Sequence, residues 1–476
     1  MLILLLVLYF CLLTYVSHRT GKNDSGADFF LGNRRSPWWA VAIGMVGASV
    51  SGVSFVSVPG WVPASSFSYM QMVLGFLVGY VVVAYLLLPI YYNSGNVSIY
   101  SYLTSRLGES GRKTGALFFL LNKLMGAAVK FYVAAYVLYQ LSDIDFLPFP
   151  VFALLCVSFV YFYTYKGGIR SIVWTDLLQT FLMVLSLVLL LHKALSLMDL
   201  DWRSGLSFIA DSDLSRIFYF DDWSTRTYFW KHFVSGAFVV VVMTGLDQDM
   251  IQKNLSCRSL KEARRNMLSY GVLFIPVNLL FLSLGLLVAN YYGVDALPAT
   301  GDALLPYFVK EAGPAVLMCF AVGMLASSFS SVDSAMAAMT TSLLSDLLGE
   351  DAERVSPKLR HRVHLGVAAA VCLAVVLLDF VRSDHAIDVI YQLVSYLYGP
   401  LLGMFAYCIF RRGGGVVDSV WVVVVAVLSP LLSYGTSKAL HVFCGYDMGY
   451  ELLLLNGLIT YLGIVCIRRL TSAGRS

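Results

Sequence analysis

The most informative part of the chain is residues 38–62, WWAVAIGMVGASVSGVSFVSVPGWV. This stretch is long and apolar enough to cross a bilayer, which takes about 20 residues. Its middle and outer half contain Gly44, Gly47, Gly52, Pro59 and Gly60. Because glycine loosens a helix and proline removes a backbone donor, we expect a broken helix here. Unwound backbone at membrane depth survives only where it lines a cavity or is buried in protein. Close helix packing through small residues is the alternative.

The composition supports a membrane protein. Of 476 residues, 58% are hydrophobic and 13% are charged, whereas a soluble domain carries about 25% charge. The net charge of +4 comes from short basic clusters, so we expect no nucleic-acid partner. The eight cysteines are scattered, and no glycine-rich nucleotide motif or soluble ATPase-sized stretch is visible. The sequence therefore predicts an all-α polytopic transporter in the cell membrane that draws on an ion gradient.

The apolar runs predict about thirteen transmembrane helices. After the first run, which we interpret as a retained helix, they centre near residues 50, 80, 128, 157, 183, 240, 280, 328, 372, 397, 425 and 458. Basic residues fall at every second boundary: Arg34, Arg35, Arg106, Arg112, Lys113, Lys166, Arg170, Lys253, Arg258, Lys261, Arg264, Arg265, Lys358, Arg360, Arg362, Arg411, Arg412, Arg468 and Arg469. The positive-inside rule makes those boundaries cytoplasmic, with the N-terminus outside and the C-terminus inside.

A second interruption, MTGLDQDMIQ at residues 243–252, comes five predicted helices after the first and in the opposite orientation. This arrangement is typical of an inverted five-plus-five repeat with half-helix ends facing a midplane site. We expect a single transmembrane domain over residues 1–476. It divides into an extra N-terminal helix and loop (1–36), repeat 1 (37–194), repeat 2 (229–412) and two C-terminal helices (413–476).

The ninth apolar segment, residues 323–348, combines hydroxyl side chains with one acid. Ser327, Ser330, Ser331 and Ser334 recur at three- and four-residue steps, so they share a helix face. Serines alone are compatible with a packing face whose hydroxyls bond to their own backbone. Asp333 favours function, because an ionisable group inside the bilayer is costly. Hydroxyls, freed carbonyls and a carboxylate are the oxygen ligands that suit sodium.

Three further charges lie inside apolar segments. Asp176, beside Thr175, could neutralise a lysine, bind a cation or be wetted near the cytoplasmic end. Lys123 and Lys130 lie seven residues apart and therefore share a helix face. Lys123 is expected to snorkel or to pair with an acid. Lys130 is deeper and could contact an anionic group of a substrate.

The chain resembles the sodium/solute symporter family along nearly its whole length. Six segments carry the resemblance: DFFLGNRRSPWWAVAIGMVGASVSGVSFVSVPG (28–60), LLLPIYYNSGNVSIYSYLTSRLG (86–108), KGGIRSIVWTDLLQT (166–180), DQDMIQKNLSCRSLKEARRN (247–266), SSFSSVDSA (327–335) and YQLVSYLYGP (391–400). The resemblance implies the leucine-transporter type of fold and sodium as the coupling ion, without an organic cofactor.

The resemblance also implies site residues. The shared sodium site maps to the carbonyls of Gly47, Val50 and Ser327 and to the hydroxyls of Ser330 and Ser331. A second cation site, present in some members, maps to Asp176, Asp333 and Ser334. The acid at 333, where a hydroxyl is more usual, could strengthen this site, bind a proton or pair with a lysine.

The substrate-binding positions of the family map onto this sequence less completely than the sodium-binding positions do. Ser54, Gln71, Asp247 and Gln392 lie at or near positions that hold sugar hydroxyls in sugar-transporting members. The lysine of the galactose type has no counterpart, since Val272 stands near its place. Acid-transporting relatives use a basic residue close to where Lys130 falls, so a sugar acid or another carboxylate is an open alternative to a sugar.

The sequence therefore predicts sodium-driven import of a small organic solute by alternating access. Three alternatives remain: proton coupling through Asp333 or Asp176, a membrane sensor on the same scaffold, and an intramembrane serine hydrolase. The hydrolase would need a histidine or lysine base near a helix-nine serine, and the histidines lie near helix ends or loops. The sequence does not determine the solute, the number of cations or the oligomeric state.

Overall fold

A computed structural model describes residues 2–21, 26–141, 147–165, 167–223, 225–351, 354–380, 386–411, 416–446 and 448–473. Within these ranges the chain is helical throughout and contains no strand longer than one bridge, between Ser36 and Cys257. An all-helical fold is what a bilayer demands, because a helix satisfies its backbone polar groups internally. The all-α prediction is confirmed for this part of the chain.

Nineteen α-helices are present in the described ranges. They are α1 (Leu2–Thr20), α2 (Gly26–Leu31), α3 (Trp38–Ser49), α4 (Gly52–Ser65), α5 (Tyr69–Val82), α6 (Leu88–Ser94), α7 (Ser101–Leu141), α8 (Phe149–Thr164), α9 (Gly168–Leu197), α10 (Trp202–Asp211), α11 (Phe229–Val240), α12 (Gln248–Leu255), α13 (Leu260–Tyr292), α14 (Leu304–Glu311), α15 (Pro314–Ser342), α16 (Pro357–Asp379), α17 (Ala386–Phe410), α18 (Val420–Cys444) and α19 (Leu452–Ala473). Single π-helical turns extend α5, α11 and α15 at Val83–Leu87, Val241–Gly245 and Leu343–Leu347.

The spans agree with the apolar runs of the sequence. Eight continuous helices in the described residues are long and apolar enough to cross a membrane, and two bent pairs add up to two more. Three shorter apolar helices are α1, α8 and the described part of α17. Every predicted centre falls within one of these segments or at a helix break. The exact count of thirteen spans and the inverted repeat stay predictions.

Both broken helices occur where the sequence predicts them. α3 and α4 meet at 63° around Val50 and Ser51, whose backbones are extended. The pair formed by Phe229–Gly245 and α12 meets at 65°. Pro59 does not cause the first break, because it lies inside α4.

Glycines of the first broken helix serve mainly for close packing. A Cβ on Gly47 would lie 2.1 Å from Thr180 Oγ1 of α9, and one on Gly44 would lie 2.9 Å from Asp176 Cβ. Both of the sequence-based interpretations therefore apply, at different residues. The backbone breaks at 50–51, and the glycines before the break hold α3 against α9.

The serine-rich helix α15 lies at the centre of the molecule. Every residue from Gly323 to Ser342 is buried. α15 packs against α9, α7, α3 and α16. Its hydroxyls therefore face protein rather than lipid.

The end of the molecule that carries the basic loops is closed by polar contacts to α12. Gln252 Nε2 donates to Phe30 O at 2.6 Å and to Thr341 Oγ1 at 3.0 Å, and Gln248 Nε2 donates to Val97 O at 2.8 Å. Nearby, Arg112 of α7 pairs with buried Asp346 at 3.1 Å. These contacts hold α12 against the loops on the predicted cytoplasmic side.

Candidate transport site

The two helix breaks face a shared cavity of about 110 Å³, which we call the central cavity. The first break contributes Ser51 and Ser54, and the second contributes Thr244 and Asp247. Helices α5, α7 and α13 complete the wall with Tyr69, Phe76, Tyr80, Lys123, Lys130, Tyr270 and Phe274. Since broken helices turn backbone ends toward the interior, a cavity at this position is where a solute can contact both.

Lys123 and Lys130 share the same face of α7 and line the same cavity, but their surroundings differ. Lys123 Nζ lies 3.1 Å from Asp247 Oδ1 and 2.8 Å from Asp249 Oδ2. The sequence-based expectation that Lys123 pairs with an acid is met by these two contacts. Lys130 has no hydrogen bond or ion pair with any described residue. Its ammonium is the positive group of the central cavity that the protein leaves available to an anion.

Asp247 is the N-cap of α12 and is held from three sides. Its Oδ1 accepts from the amides of Asp249 at 2.9 Å and Met250 at 3.4 Å. Its Oδ2 accepts from Tyr398 OH of α17, and Lys123 supplies the counter-charge. With these partners, the Asp247 carboxylate fixes the start of α12 at the second break. Lys123 balances its negative charge.

The residues that the resemblance assigns to a shared sodium site lie where α3 ends against α15. Ser331 Oγ donates to Ala48 O at 2.8 Å and to Ser327 O at 3.2 Å, so the two helices are joined through oxygen atoms. α3 ends at Ser49, and the Ser51 amide turns to Ser54 Oγ at 3.4 Å. The carbonyls of the last turn of α3, including that of Gly47, therefore have no amide of a following helical turn to bond to. Val50 is the C-cap of α3, in extended conformation.

Asp176 connects this region to a buried lysine. Its Oδ1 accepts from Ser330 Oγ at 2.7 Å, and its Oδ2 lies 2.8 Å from Lys253 Nζ. Both charged side chains are 1% exposed. Of the options that the sequence leaves open for Asp176, the structure shows neutralisation of a lysine. Lys253, which the sequence groups with the basic residues of a predicted cytoplasmic boundary, is buried in the last turn of α12 rather than exposed.

Asp333 lies on α15, near Asp176 of α9, but the two acids have different contacts. Its Oδ2 accepts from Tyr163 OH of α8 at 2.9 Å, and its Oδ1 lies 3.1 Å from Ser334 Oγ. Among the described residues no lysine or arginine pairs with it. Asp333, Ser334, Asp176 and Ser330 thus form one group of oxygen atoms between α9 and α15.

The five predicted substrate residues do not lie together. Ser54, Lys130 and Asp247 line the central cavity. Gln71 is fully buried and holds the outer loop, because Nε2 donates to Thr227 O at 2.8 Å and Oε1 accepts from Tyr219 N at 3.1 Å. Gln392 lines a separate cavity, together with residues of α4, α11 and α18.

Sequence reasoning missed several polar residues of the site. Asp249 is in the quoted DQD motif, but the sequence does not say which helix meets it. Thr244 directly precedes Gly245 of the second break, and this position in the sequence could have identified it as a residue of the site. Tyr270 and Tyr398 carry no signal, since an aromatic residue in an apolar helix is usually core.

Two broken helices, a central cavity between them and an oxygen-lined junction beside it are typical of a multi-pass membrane transporter. The sequence profile of "SSF: Sodium:solute symporter family" matches residues 29–412. The chain belongs to this family.

Relatives of known function agree with the assignment. The human sodium/iodide cotransporter is 26% identical over 87% of this chain and 68% of its own. The sodium/sialic acid symporter SiaT of Proteus mirabilis is 24% identical over 94% and 91%, and human sodium-coupled monocarboxylate transporter 2 is 25% identical over 86% and 69%. A solved Na⁺-coupled sialic acid symporter, in a substrate-bound outward-open state, superimposes with a TM-score of 0.81 at 20% identity over 98% of this chain and 97% of that chain.

Proposed function

We propose that this chain imports a small organic monoanion together with sodium, and that Lys130 binds the carboxylate. The observation that carries the proposal is the position of Lys130, in the central cavity and without an acidic partner among the described residues. The N-terminal end of α4 begins at the same cavity, at Gly52. Its helix dipole adds to the attraction for an anion.

The central cavity favours a short carboxylic acid over a sugar acid. Its volume of about 110 Å³ lies below the range of about 300–1,000 Å³ that is typical of pockets for drug-sized ligands. Val239, Val240 and Met243 form an apolar wall that suits an alkyl chain. The relatives are named for iodide, monocarboxylate and sialic acid, which are all anions. Their names support an anionic solute and do not distinguish among these three kinds of anion.

Sodium is proposed to bind at the junction of α3 and α15. The ligands would be the carbonyls of Gly47, Val50 and Ser327 with the hydroxyls of Ser330 and Ser331. Ser331 and Ala48 already touch through oxygen atoms, which supports this assignment. An ion there would hold α3 against α15 and keep the first break in the shape that receives the solute. By reciprocal linkage, bound sodium then raises the affinity for the solute.

The buried charges suggest more than one cation per cycle. Four acids (Asp176, Asp247, Asp249 and Asp333) lie near three lysines (Lys123, Lys130 and Lys253). Counted as ionised, this set has one negative charge in excess, and a monoanionic solute adds a second. Two sodium ions would neutralise both, the second at Asp333, Ser334 and Asp176.

Inward release would require the contacts on the cytoplasmic side to open. Gln248, Gln252 and the Arg112–Asp346 pair close that end in the present structure. Two sodium ions and one monoanion together carry one net positive charge inward, and one charge that moves down a potential of 100 mV supplies about 2.3 kcal/mol, which allows about fiftyfold accumulation of the solute. From the basic residues at alternate helix boundaries, we infer that the N-terminus lies outside and the C-terminus in the cytoplasm.

Uptake of labelled lactate, acetate and sialic acid into proteoliposomes tests the proposal. We expect sodium-driven lactate or acetate uptake in the wild type and its loss in Lys130→Met. Lys358→Met is the matched control, because Lys358 is exposed at the start of α16. Sialic acid uptake without short-acid uptake would contradict the proposed solute, and equal loss in both variants would contradict the role of Lys130.

Proton coupling is the second candidate, and Asp333 favours it. This acid is completely buried and has no cationic partner among the described residues. A carboxyl group in such a place can carry a proton between the two faces. Uptake that follows an inward proton gradient in the absence of sodium, and that disappears in Asp333→Asn, would select this candidate.

A further inference from the structure

A second and larger cavity, which we call the outer cavity, lies toward the end of the molecule opposite the basic loops. Its volume is about 480 Å³. It is bounded by the end of α4, by α11, α17 and α18, and by the segment that leads into α19. No function is assigned to it by the transport mechanism above.

Most charges that line the outer cavity are positive among the residues that the structure describes. Arg226, Lys231 and Lys438 are the cations of this described lining, and Glu451 is its acid. Glu451 Oε1 already accepts from Tyr446 OH at 2.9 Å. His232 and His441 add two further nitrogen-bearing rings. The cavity is therefore an electropositive recess, and such a recess concentrates anions.

Aromatic rings stand beside the cations. Lys231 Nζ lies 4.3 Å from the centroid of the Tyr446 ring, and Lys438 Nζ lies 5.9 Å from that of Tyr434. Tyr396 and Tyr434 lie 6.4 Å apart, centroid to centroid. A ligand with both a carboxylate and an aromatic body could contact a cation and a ring at the same time.

The outer and central cavities are separate. They share no lining residue. Trp61 lines the outer cavity and packs edge-on against Tyr69, which lines the central cavity, with centroids 5.7 Å apart. This aromatic pair divides the two spaces, so a ligand can occupy the outer cavity without entering the central one.

We propose that the outer cavity is a second anion-binding site, selective for aromatic or otherwise bulky carboxylates that exceed the central cavity. An occupant of this cavity lies between the end of α4 and helices α17 and α18. The site rests on the proposed function only in that the outer end is taken as extracellular.

Equilibrium binding of naphthoate to the purified full-length protein tests the site without transport. We expect saturable binding that weakens about tenfold in the double variant Lys231→Gln/Lys438→Gln, on the scale of two partly screened ion pairs. Lys310→Gln is the matched control, because Lys310 is an exposed cation at the end of α14 and does not line the cavity. Binding in this control should equal that of the wild type.

Lys130→Gln separates this proposal from the transport site. We expect it to abolish uptake of short acids and to leave naphthoate affinity unchanged. Naphthoate binding that is lost in Lys130→Gln, or that survives unchanged in the double variant, would place the ligand elsewhere and overturn the proposal. Absence of saturable binding to the wild type would overturn it as well. Single variants at Lys231 and Lys438, each with a smaller loss, guard against misfolding of the double variant.

Discussion

The two broken helices bend by nearly the same angle, 63° and 65°, but the chemistry at their breaks differs. The first break presents hydroxyls and the end of α3, and no acidic side chain lies at residues 49–54. At the second break Asp247 caps α12 and is held by Lys123 and Tyr398. The first break is held by neutral hydrogen bonds, which can be exchanged for ligands, whereas the second is fixed by a buried charge pair. We infer that the first break binds sodium and solute and that the second acts as a structural pivot.

Removal of Lys123 should have the largest effect, because it disrupts the fixed break. In Lys123→Met, Asp247 and Asp249 lose a shared partner, and an unpaired buried charge costs about 3–5 kcal/mol. We expect a clear drop in the thermal unfolding temperature and no uptake. Lys358→Met should match the wild type in both assays. A Lys123→Met protein of normal stability would show that the second break does not need this pair.

Removal of the Ser330 and Ser331 hydroxyls should have the next largest effect, at the ligand-exchanging break. We expect Ser330→Ala/Ser331→Ala to fold and to lose at least about tenfold in sodium-dependent uptake, since coupling energies of this size link two sites. Ser327→Ala is the matched control, because Ser327 is expected to contribute its carbonyl, and its own hydroxyl donates to Met324 O. Equal loss in the control would refute the division between carbonyl and hydroxyl ligands.

Asp333→Asn should change the sodium dependence more than the maximal rate. The substitution removes the excess negative charge of the buried set, so one sodium ion would suffice. We expect the Hill coefficient for sodium to fall from about two to about one. Uptake measured across sodium concentrations, with choline as the replacement cation, gives this value. A coefficient that is unchanged by the substitution would contradict the second sodium site.

The smallest effect on transport is expected from Gln71→Ala. Gln71 bonds to the outer loop and does not line the central cavity. Its loss should lower stability by about 1–3 kcal/mol, the cost of unsatisfied buried groups, while the apparent affinity for the solute stays within about twofold. Gln392→Ala, in the outer cavity, provides the comparison. A large loss of solute affinity in Gln71→Ala would restore the sequence-based prediction that this residue binds substrate.

The contrast between the two breaks was only partly predictable from sequence. Glycine interruptions in the apolar segments indicated both broken helices, and helical spacing placed Ser327, Ser330 and Ser331 on one face. The family resemblance supplied the partner helix for these serines, and the contact between Ser331 and Ala48 is consistent with it.

Pairing between distant helices was not predictable. Lys253 precedes a run of basic residues and was therefore counted with them, but the bend of the second helix carries it inward to Asp176. Likewise, the sequence contains Lys123 and Lys130 in equivalent helical positions. Only the fold shows that Asp247 and Asp249 reach Lys123 and leave Lys130 without an acidic partner among the described residues.

The account depends most on the claim that sodium and the anion bind together at the first break. Equilibrium binding of labelled lactate to purified protein, with sodium or with choline, measures this coupling directly. The account predicts that sodium raises lactate affinity by about tenfold or more in the wild type and not in Ser330→Ala/Ser331→Ala. Equal lactate affinity in sodium and in choline, in the folded wild-type protein, would contradict it.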